Sequence, residues 1–242
     1  MKQNIYDDPQ FFEGYSQLRR HESGLNMAVD QPAMRSLMPP LGGKRVLDLG
    51  CGFGKMCRYA IDQGAASVVG VDISTKMLAK AREDTADPRI TYVQSALEDL
   101  SFAPASFDVV VSSLALHYVE RFASICANVK SWLVAGGAFV FSVEHPMATA
   151  YPVAGYLGAK DENQHWEIDN YKFDGIRHTQ WFVDDVIKYH RSIETYVNTL
   201  IDKGFTIVRL LEPEATPDAI RERPDLRQES RRPTFMMISA RS

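Results

Sequence analysis

The residues best placed to do chemistry in this sequence are Asp48, Gly50, Gly52, Gly54 and Asp72. The first four stand in Val46-Leu47-Asp48-Leu49-Gly50-Cys51-Gly52-Phe53-Gly54, at the end of a short apolar run. Alternate glycines allow positive φ and let a ligand approach the backbone closely. The loop leads into a helical pattern, whose free amino-terminal amides favour an anionic group such as a carboxylate. Asp48 is positioned to meet an amine, so a ligand carrying both an ammonium and a carboxylate suits the pair. Asp72 ends the next apolar run, where an acid can accept hydrogen bonds from a ribose diol. The dinucleotide fingerprint G-x-G-x-x-G, started at Gly50, would need glycine at 55, and residue 55 is Lys55. The spacing G-x-G-x-G therefore departs from a nicotinamide site, although a nicotinamide-dependent oxidoreductase remains the alternative from another enzyme class.

Two histidines follow later apolar runs. His145 lies in Val143-Glu144-His145-Pro146, where the proline restrains the chain, and His117 follows the run at 107–112. An imidazole titrates near neutral pH and can serve as a base, so His145 is the first candidate catalytic group and His117 the second. Tyr151, Tyr156, Trp166, Tyr171, Phe173, Trp181 and Phe182 crowd residues 146–190. They can wall a pocket for a planar or apolar ligand, or form a small core of their own.

These residues need a scaffold that brings carboxyl ends of strands together. Strands are expected at 45–49, 67–72, 90–94, 107–112 and 138–143. Helices are expected between them at 54–63, from the cap Ser74 to 84, and at 121–133, the last stopped by Gly136-Gly137. Such alternation implies a parallel sheet with helices on both faces. Before it, residues 1–40 read as a helical arm interrupted near Ser23-Gly24 and closed by Pro39-Pro40-Leu41-Gly42-Gly43. After it, residues 145–188 read as irregular. A helix at 192–203 and strands at 205–211 and 234–240 complete the chain, the last two suiting an antiparallel pair at the sheet edge.

On these motifs the sequence resembles the UbiE/type 11 group of class I S-adenosylmethionine-dependent methyltransferases. The resemblance is carried by the glycine segment, by Val69-Gly70-Val71-Asp72-Ile73-Ser74, by the run from Phe107 to Tyr118, and by Leu133-Val134-Ala135-Gly136-Gly137. It implies an α/β, Rossmann-like sheet of seven strands in the order 3-2-1-4-5-7-6, strand 7 antiparallel. It also implies one methyltransferase domain over 1–242, with the arm at 1–40 and a substrate lid at 146–190. S-adenosylmethionine is then the cofactor and S-adenosylhomocysteine the product. Asp48, Gly50, Gly52 and Gly54 would hold the methionine moiety, and Asp72 the ribose. Ile73, Met77, Ala96 and Leu97 would surround the adenine, and Ser113 and Leu114 would border the methyl group. Many relatives carry Asp where this chain has Ala96, so Glu98 or a backbone carbonyl would have to accept from the adenine amine. In relatives an amino-terminal helix covers the cofactor, which points to Tyr15 over the methionine and Arg20 on its carboxylate. Tyr118, Trp181, His190 and Arg191 are the substrate-binding candidates. The implied activity is methylation of O, N or C on a small, cyclic or aromatic metabolite; a non-catalytic protein that binds the cofactor is the other alternative.

Bulk properties agree with a small-molecule partner. The chain has 242 residues, 45% of them apolar, enough to bury roughly 70–75% of the unfolded surface without a metal or disulfide staple. A formal charge of −4, with the arginines of 221–232 interleaved with acids, argues against nucleic acid. Cys51, Cys57 and Cys126 show neither C-x-x-C nor zinc spacing and suit reduced thiols in a cytoplasmic protein, and no metal site is expected. No secretory signal or membrane-length apolar run is expected either, and a monomer or a homodimer is compatible with the pattern.

Overall fold

The computed structural model describes residues 2–20, 24–150 and 168–242. Its amino-terminal arm contains α1 (Pro9–Arg20) and α2 (Gln31–Leu37), the latter entered through a π-helical turn at Asn26–Asp30. Then β1 (Arg45–Leu49), α3 (Lys55–Asp62), β2 (Ser67–Asp72), α4 (Thr75–Asp84), β3 (Ile90–Gln94), β4 (Phe107–Ser113), α5 (Phe122–Trp132) and β5 (Leu133–Glu144) follow. The chain continues through α6 (Pro146–Ala150), β6 (Gly175–Trp181), β7 (Val183–His190), α7 (Ile193–Asp202), β8 (Thr206–Leu211), α8 (Pro217–Glu222) and β9 (Phe235–Arg241).

Seven strands form one sheet in the order β3-β2-β1-β4-β5-β9-β8. β1 to β5 pair in parallel, and β9 runs antiparallel to both β5 and β8. This is the expected seven-stranded order. Valine-rich, doubly buried strands suit its centre. Their two-residue period sends Leu47, Leu49, Val110, Phe139 and Phe141 to one face, where they meet Ile125, Val129 and Trp132 of α5 and Tyr196 and Leu200 of α7. Val46, Val68, Val109, Val111 and Val140 face the other way, against Met34 of α2 and Met56, Cys57, Ala60 and Ile61 of α3. Fully burying side chains of this size stabilises by about 1.5–3 kcal/mol each. The strand order reverses between β1 and β4, which opens a crevice at their carboxyl ends.

Two expectations need correction. Gly136 and Gly137 do not stop a helix: α5 ends at Trp132, β5 begins at Leu133, and the glycines lie in an irregular stretch where the β4 pairing shifts between Phe107 and Val109. Residues 175–190 are not irregular either. β6 and β7 pair as an antiparallel hairpin separate from the main sheet, from Gly175↔His190 to Trp181↔Val183. Its faces mix Trp, Ile and Val with Arg, Lys and His, which hides the alternation in sequence. Tyr151, Tyr156, His165 and Trp166 lie outside the described residues, as does the side chain of Arg20.

Candidate active site

A single cavity of about 1090 Å³ opens over the carboxyl ends of β1, β2 and β4 and extends beneath the hairpin and the arm. Its first half is made by the glycine loop. Gly50 (φ +79°) and Cys51 both donate to Val71 O, at 2.8 and 2.9 Å, which turns the loop sharply off β1. A Cβ on Gly50 would stand 2.3 Å from that of Ala115. Gly52 (φ +51°) has nothing within 4 Å of where a Cβ would be, so its backbone faces open space. Gly54 lies against Tyr92, whose hydroxyl a side chain there would strike at 2.2 Å, and is not on the cavity wall.

Asp72 is clamped by two amides. Gly52 N–H donates to its Oδ2 at 2.8 Å and Ser74 N–H to its Oδ1 at 2.9 Å. It lines the cavity, and burial raises its carboxyl above the usual range despite these bonds. Asp48 does not line the cavity. It is wholly buried beneath the loop, accepts from Cys57 Sγ at 3.3 Å, and is pushed up to about 7 by burial. Ile73, Met77, Ala96, Leu97, Ser113 and Leu114 all line the wall, and Glu98 stands beside Ala96 there. Leu114 adopts φ +53°, an unusual conformation for a branched residue, where β4 meets the cavity. Open backbone at Gly52, an acid at the ribose distance along the sheet edge, and an apolar slot of Ile73, Met77 and Leu97 together fit a nucleoside bearing an amino-acid tail.

The arm closes this half. Tyr15 and Arg19 line the cavity; Arg19 Nε donates to Tyr15 Oη at 2.8 Å, and its guanidinium also bonds Asn26. Asn26 continues to Asp30 Oδ2 (3.1 Å), which accepts from Ser113 Oγ (2.8 Å). Asp30 is fully buried, which raises its carboxyl to about 6. Tyr6 packs edge-on to Phe11, Tyr15 and Tyr118, with centroids 4.8, 5.3 and 6.1 Å away. Asp7 accepts from Ser74 Oγ at 2.6 Å, Lys76 N at 3.0 Å and Thr75 N at 3.2 Å, while Ser74 Oγ caps α4 by accepting from Met77 N. Gln3 bonds Asp185 O and Ile187 N on the hairpin, both at 2.9 Å.

The second half brings together His117, Tyr118, Glu144, Trp181 and Lys188. Lys188 Nζ lies 2.6 Å from Glu144 Oε1 and 5.8 Å from the centroid of the Trp181 ring. His117 Nδ1 accepts from Glu144 N at 3.3 Å, and its Nε2 stands 4.0 Å from Glu144 Oε1. Burial, partly offset by Glu144, lowers His117 to about 4, so the ring is neutral at pH 7. His145 is placed differently. Its Nε2 pairs with Glu212 at 2.8 Å, its Nδ1 accepts from Met147 N at 3.1 Å, and it is off the cavity wall. His190 bonds Thr149 Oγ1 (2.7 Å) and Tyr171 O (3.0 Å), and Arg191 donates to Val119 O and Glu120 O, so both tie elements together behind the wall.

Sequence reasoning missed Tyr6, Arg19, Asp30, Glu144 and Lys188. Glu144 had a readable signal, since it is an acid at the end of a buried strand, as Asp48 and Asp72 are. Lys188 had none. Among the described residues no cluster of three or more His, Cys, Asp or Glu could hold a metal, and no helix is long and apolar enough to cross a membrane.

Residues 47–141 match the family described as "Methyltransferase domain". The crystal structure of an S-adenosylmethionine-dependent methyltransferase from Mesorhizobium loti superposes with a TM-score of 0.84 at 44% identity, covering 90% of this chain and 100% of that one. An uncharacterised methyltransferase of Synechocystis sp. is 36% identical over 173 residues, 69% of each protein. A ubiquinone biosynthesis O-methyltransferase of Ralstonia nicotianae is 36% identical over 124 residues, 50% of this chain and 51% of that protein. At 44% identity over 90% of its length to a solved S-adenosylmethionine-dependent methyltransferase, and with the methyltransferase domain matched at residues 47–141, the chain belongs to the class I S-adenosylmethionine-dependent methyltransferases, and S-adenosylmethionine is its methyl donor.

Proposed function

We propose that the chain methylates O, N or C of a small cyclic or aromatic metabolite, with residues 1–40 as the cover and 146–190 as the lid of one catalytic unit. The observation that carries this reading is the continuity of the cavity: the glycine loop, Asp72 and Ser113 share one space with Tyr118, Glu144, Trp181 and Lys188. At about 1090 Å³ it exceeds the roughly 300–1,000 Å³ typical of a single small-ligand site, which supports two small molecules side by side. The space beside Ser113 is open and not filled by side chains, as a transferase requires and a purely binding protein does not.

Bound S-adenosylmethionine supplies an electrophilic methyl on a sulfonium centre. The work of the chain is then alignment and the exclusion of water. Asp72 receives the ribose hydroxyls, and Ile73, Met77, Ala96 and Leu97 flank the base. Gly50 and Gly52 admit the amino-acid tail, with Asp48 supporting the loop from below. Tyr15 covers that tail, and Arg19, which lines the cavity beside Tyr15, is the arginine of this arm that we assign to its carboxylate, with the Arg20 side chain outside the described residues. Ser113 and Leu114 border the reacting centre. Neutral His117 supports Glu144 on the acceptor side, while Tyr118 and Trp181 wall it. His145, bonded at both ring nitrogens, serves the loop after β5.

Calorimetry with S-adenosylhomocysteine, followed by transfer of a labelled methyl to a panel of small aromatic, aliphatic and macromolecular acceptors, tests the reading. We expect label in the small cyclic compounds. Label only in tRNA or protein would overturn the substrate class while leaving the methyl donor untouched.

A further inference from the structure

We propose that Glu144 and Lys188 make the second half of the cavity a site for an aromatic hydroxyl, in which Glu144 takes the hydroxyl proton and Lys188 holds the oxygen anion. This rests on the reading above and narrows it to one acceptor atom.

The geometry separates the roles. His117 cannot be the base in this arrangement: its Nδ1 lone pair accepts from Glu144 N–H at 3.3 Å, so the ring proton sits on Nε2, facing Glu144 Oε1 at 4.0 Å. The ring is therefore a donor toward Glu144. The groups facing Glu144 are His117 and Tyr118 from the segment after β4, Lys188 from β7 and Tyr196 from α7. Burial pushes its carboxyl up, but the Lys188 charge and His117 outweigh this and hold it below the usual range. Lys188 is itself almost buried, with one of its three donors on Glu144 and its head over Trp181.

The charge balance of the site before transfer suits a hydroxyl acceptor. The site holds one carboxylate and one ammonium 2.6 Å apart. Moving a proton from an aryl hydroxyl to Glu144 leaves one anion and one cation, with Lys188 exchanging a carboxylate partner for a phenolate. No net charge is created in a medium where an isolated charge is costly. The hydroxyl O–H bond breaks with its proton going to Glu144. The oxygen lone pair forms the new bond to the methyl carbon as the carbon–sulfur bond breaks, its electron pair remaining on sulfur. Glu144 then returns its proton to solvent. An arylamine attacking the methyl would instead develop positive charge beside Lys188 before losing its proton, and like charges in a buried site repel strongly. Trp181 and Tyr118 line the same space and supply aromatic surface against which the ring that carries the hydroxyl can pack.

Two isosteric probes, 4-nitrophenol and 4-nitroaniline, test this on the full chain saturated with S-adenosylhomocysteine. We expect 4-nitrophenol to bind with its phenolate absorption appearing about one pH unit below its position in free solution, a roughly tenfold shift in ionisation. The aniline should bind at least about tenfold more weakly. No phenol binding, no spectral shift, or an aniline that binds as well as the phenol overturns the proposal; calorimetric S-adenosylhomocysteine binding in the same sample reads the methyl-donor site separately. As a second arm, Glu144→Gln should retain S-adenosylhomocysteine affinity but lower methyl transfer to unsubstituted phenol by about 10²–10⁴-fold. Transfer to 4-nitrophenol at pH 8, where that acceptor is already ionised, should fall far less. Equal losses for both phenols, or wild-type failure to methylate either, overturns the assignment of Glu144 as base.

Discussion

Of the two halves of the cavity, the one we assign to the methyl donor is shaped by backbone, and the one we assign to the acceptor is shaped by side chains. Gly50, Gly52 and the amides that clamp Asp72 come from a short stretch joining β1 to α3 and from the end of β2. His117, Glu144, Trp181 and Lys188 come from four separate segments, two of them in a hairpin outside the main sheet. The difference teaches that one half can stay constant while the other is re-aimed by changing a hairpin. It also means that the halves should fail differently when damaged.

The largest effect is expected from Lys188→Met. It leaves Glu144, a carboxylate 24% exposed on the cavity wall, without its cation, which should destabilise toward the lower end of about 3–5 kcal/mol in denaturant unfolding. Adding Glu144→Leu should recover most of that loss. If Lys188→Met unfolds no more easily than wild type, the acceptor half is wetter than its geometry indicates, and the contrast between the halves weakens.

Asp48→Asn probes the floor of the backbone-built half. Burial first, then the Asp72 charge, raise this carboxyl from 3.8 to about 7, against the Cys57 hydrogen bond. The folded chain thus holds the proton more tightly than the unfolded chain. The stability Asp48 contributes is fully present below about pH 4 and is lost as pH rises through about 7. His117, depressed to about 4, works the opposite way and gains stability as pH rises from about 4 to 6.5. The difference between wild type and Asp48→Asn cancels the histidine. That difference should fall by roughly 3–4 kcal/mol between pH 4 and 8 in thermal or urea unfolding. A flat difference would mean that Asp48 stays ionised in the folded chain.

Asp72→Ala should weaken S-adenosylhomocysteine binding by about 1.5–3 kcal/mol, roughly 10–150-fold by calorimetry, through loss of charge-assisted hydrogen bonds. Unchanged affinity would remove Asp72 from the donor half. The smallest change is expected from His145→Ala, which leaves Met147 N–H and Glu212 without their partner: about 1–2 kcal/mol of stability, with donor affinity and turnover near wild type. A folded His145→Ala that binds the donor but has lost turnover would move this residue into the acceptor half.

The same contrast explains what could be read in the sequence. The seven strands were legible because valine-rich runs alternate with capped helices, as at Ser74, whose side chain caps α4, whereas their order came from the family resemblance. Asp72 and the glycines were legible because backbone-built sites are contiguous in the chain. His145 drew attention through Pro146, yet strand periodicity turns adjacent residues to opposite sides, and it is Glu144 that meets the cavity. Lys188 and Trp181 are brought to Glu144 only by the β6–β7 pairing, whose mixed faces carry no clear two-residue signal. Arg19 follows Tyr15 by four residues, one helical turn, so its place on the cavity side beside Tyr15 was within reach of helix spacing.

Gln3 and Asp7 have a thermodynamic consequence. One short segment is hydrogen-bonded on one side to the hairpin, at Asp185 and Ile187, and on the other to the start of α4, at Ser74, Thr75 and Lys76. Fluctuations of the two walls are therefore linked through a common tether. A molecule that stiffens either wall also reduces the ordering entropy that the next arrival must meet, with no change of shape required. Any coupling of donor and acceptor affinities carried by this tether is reciprocal, and cutting it at Asp7 or Gln3 is expected to lower the coupling factor toward one, read as acceptor affinity with and without S-adenosylhomocysteine.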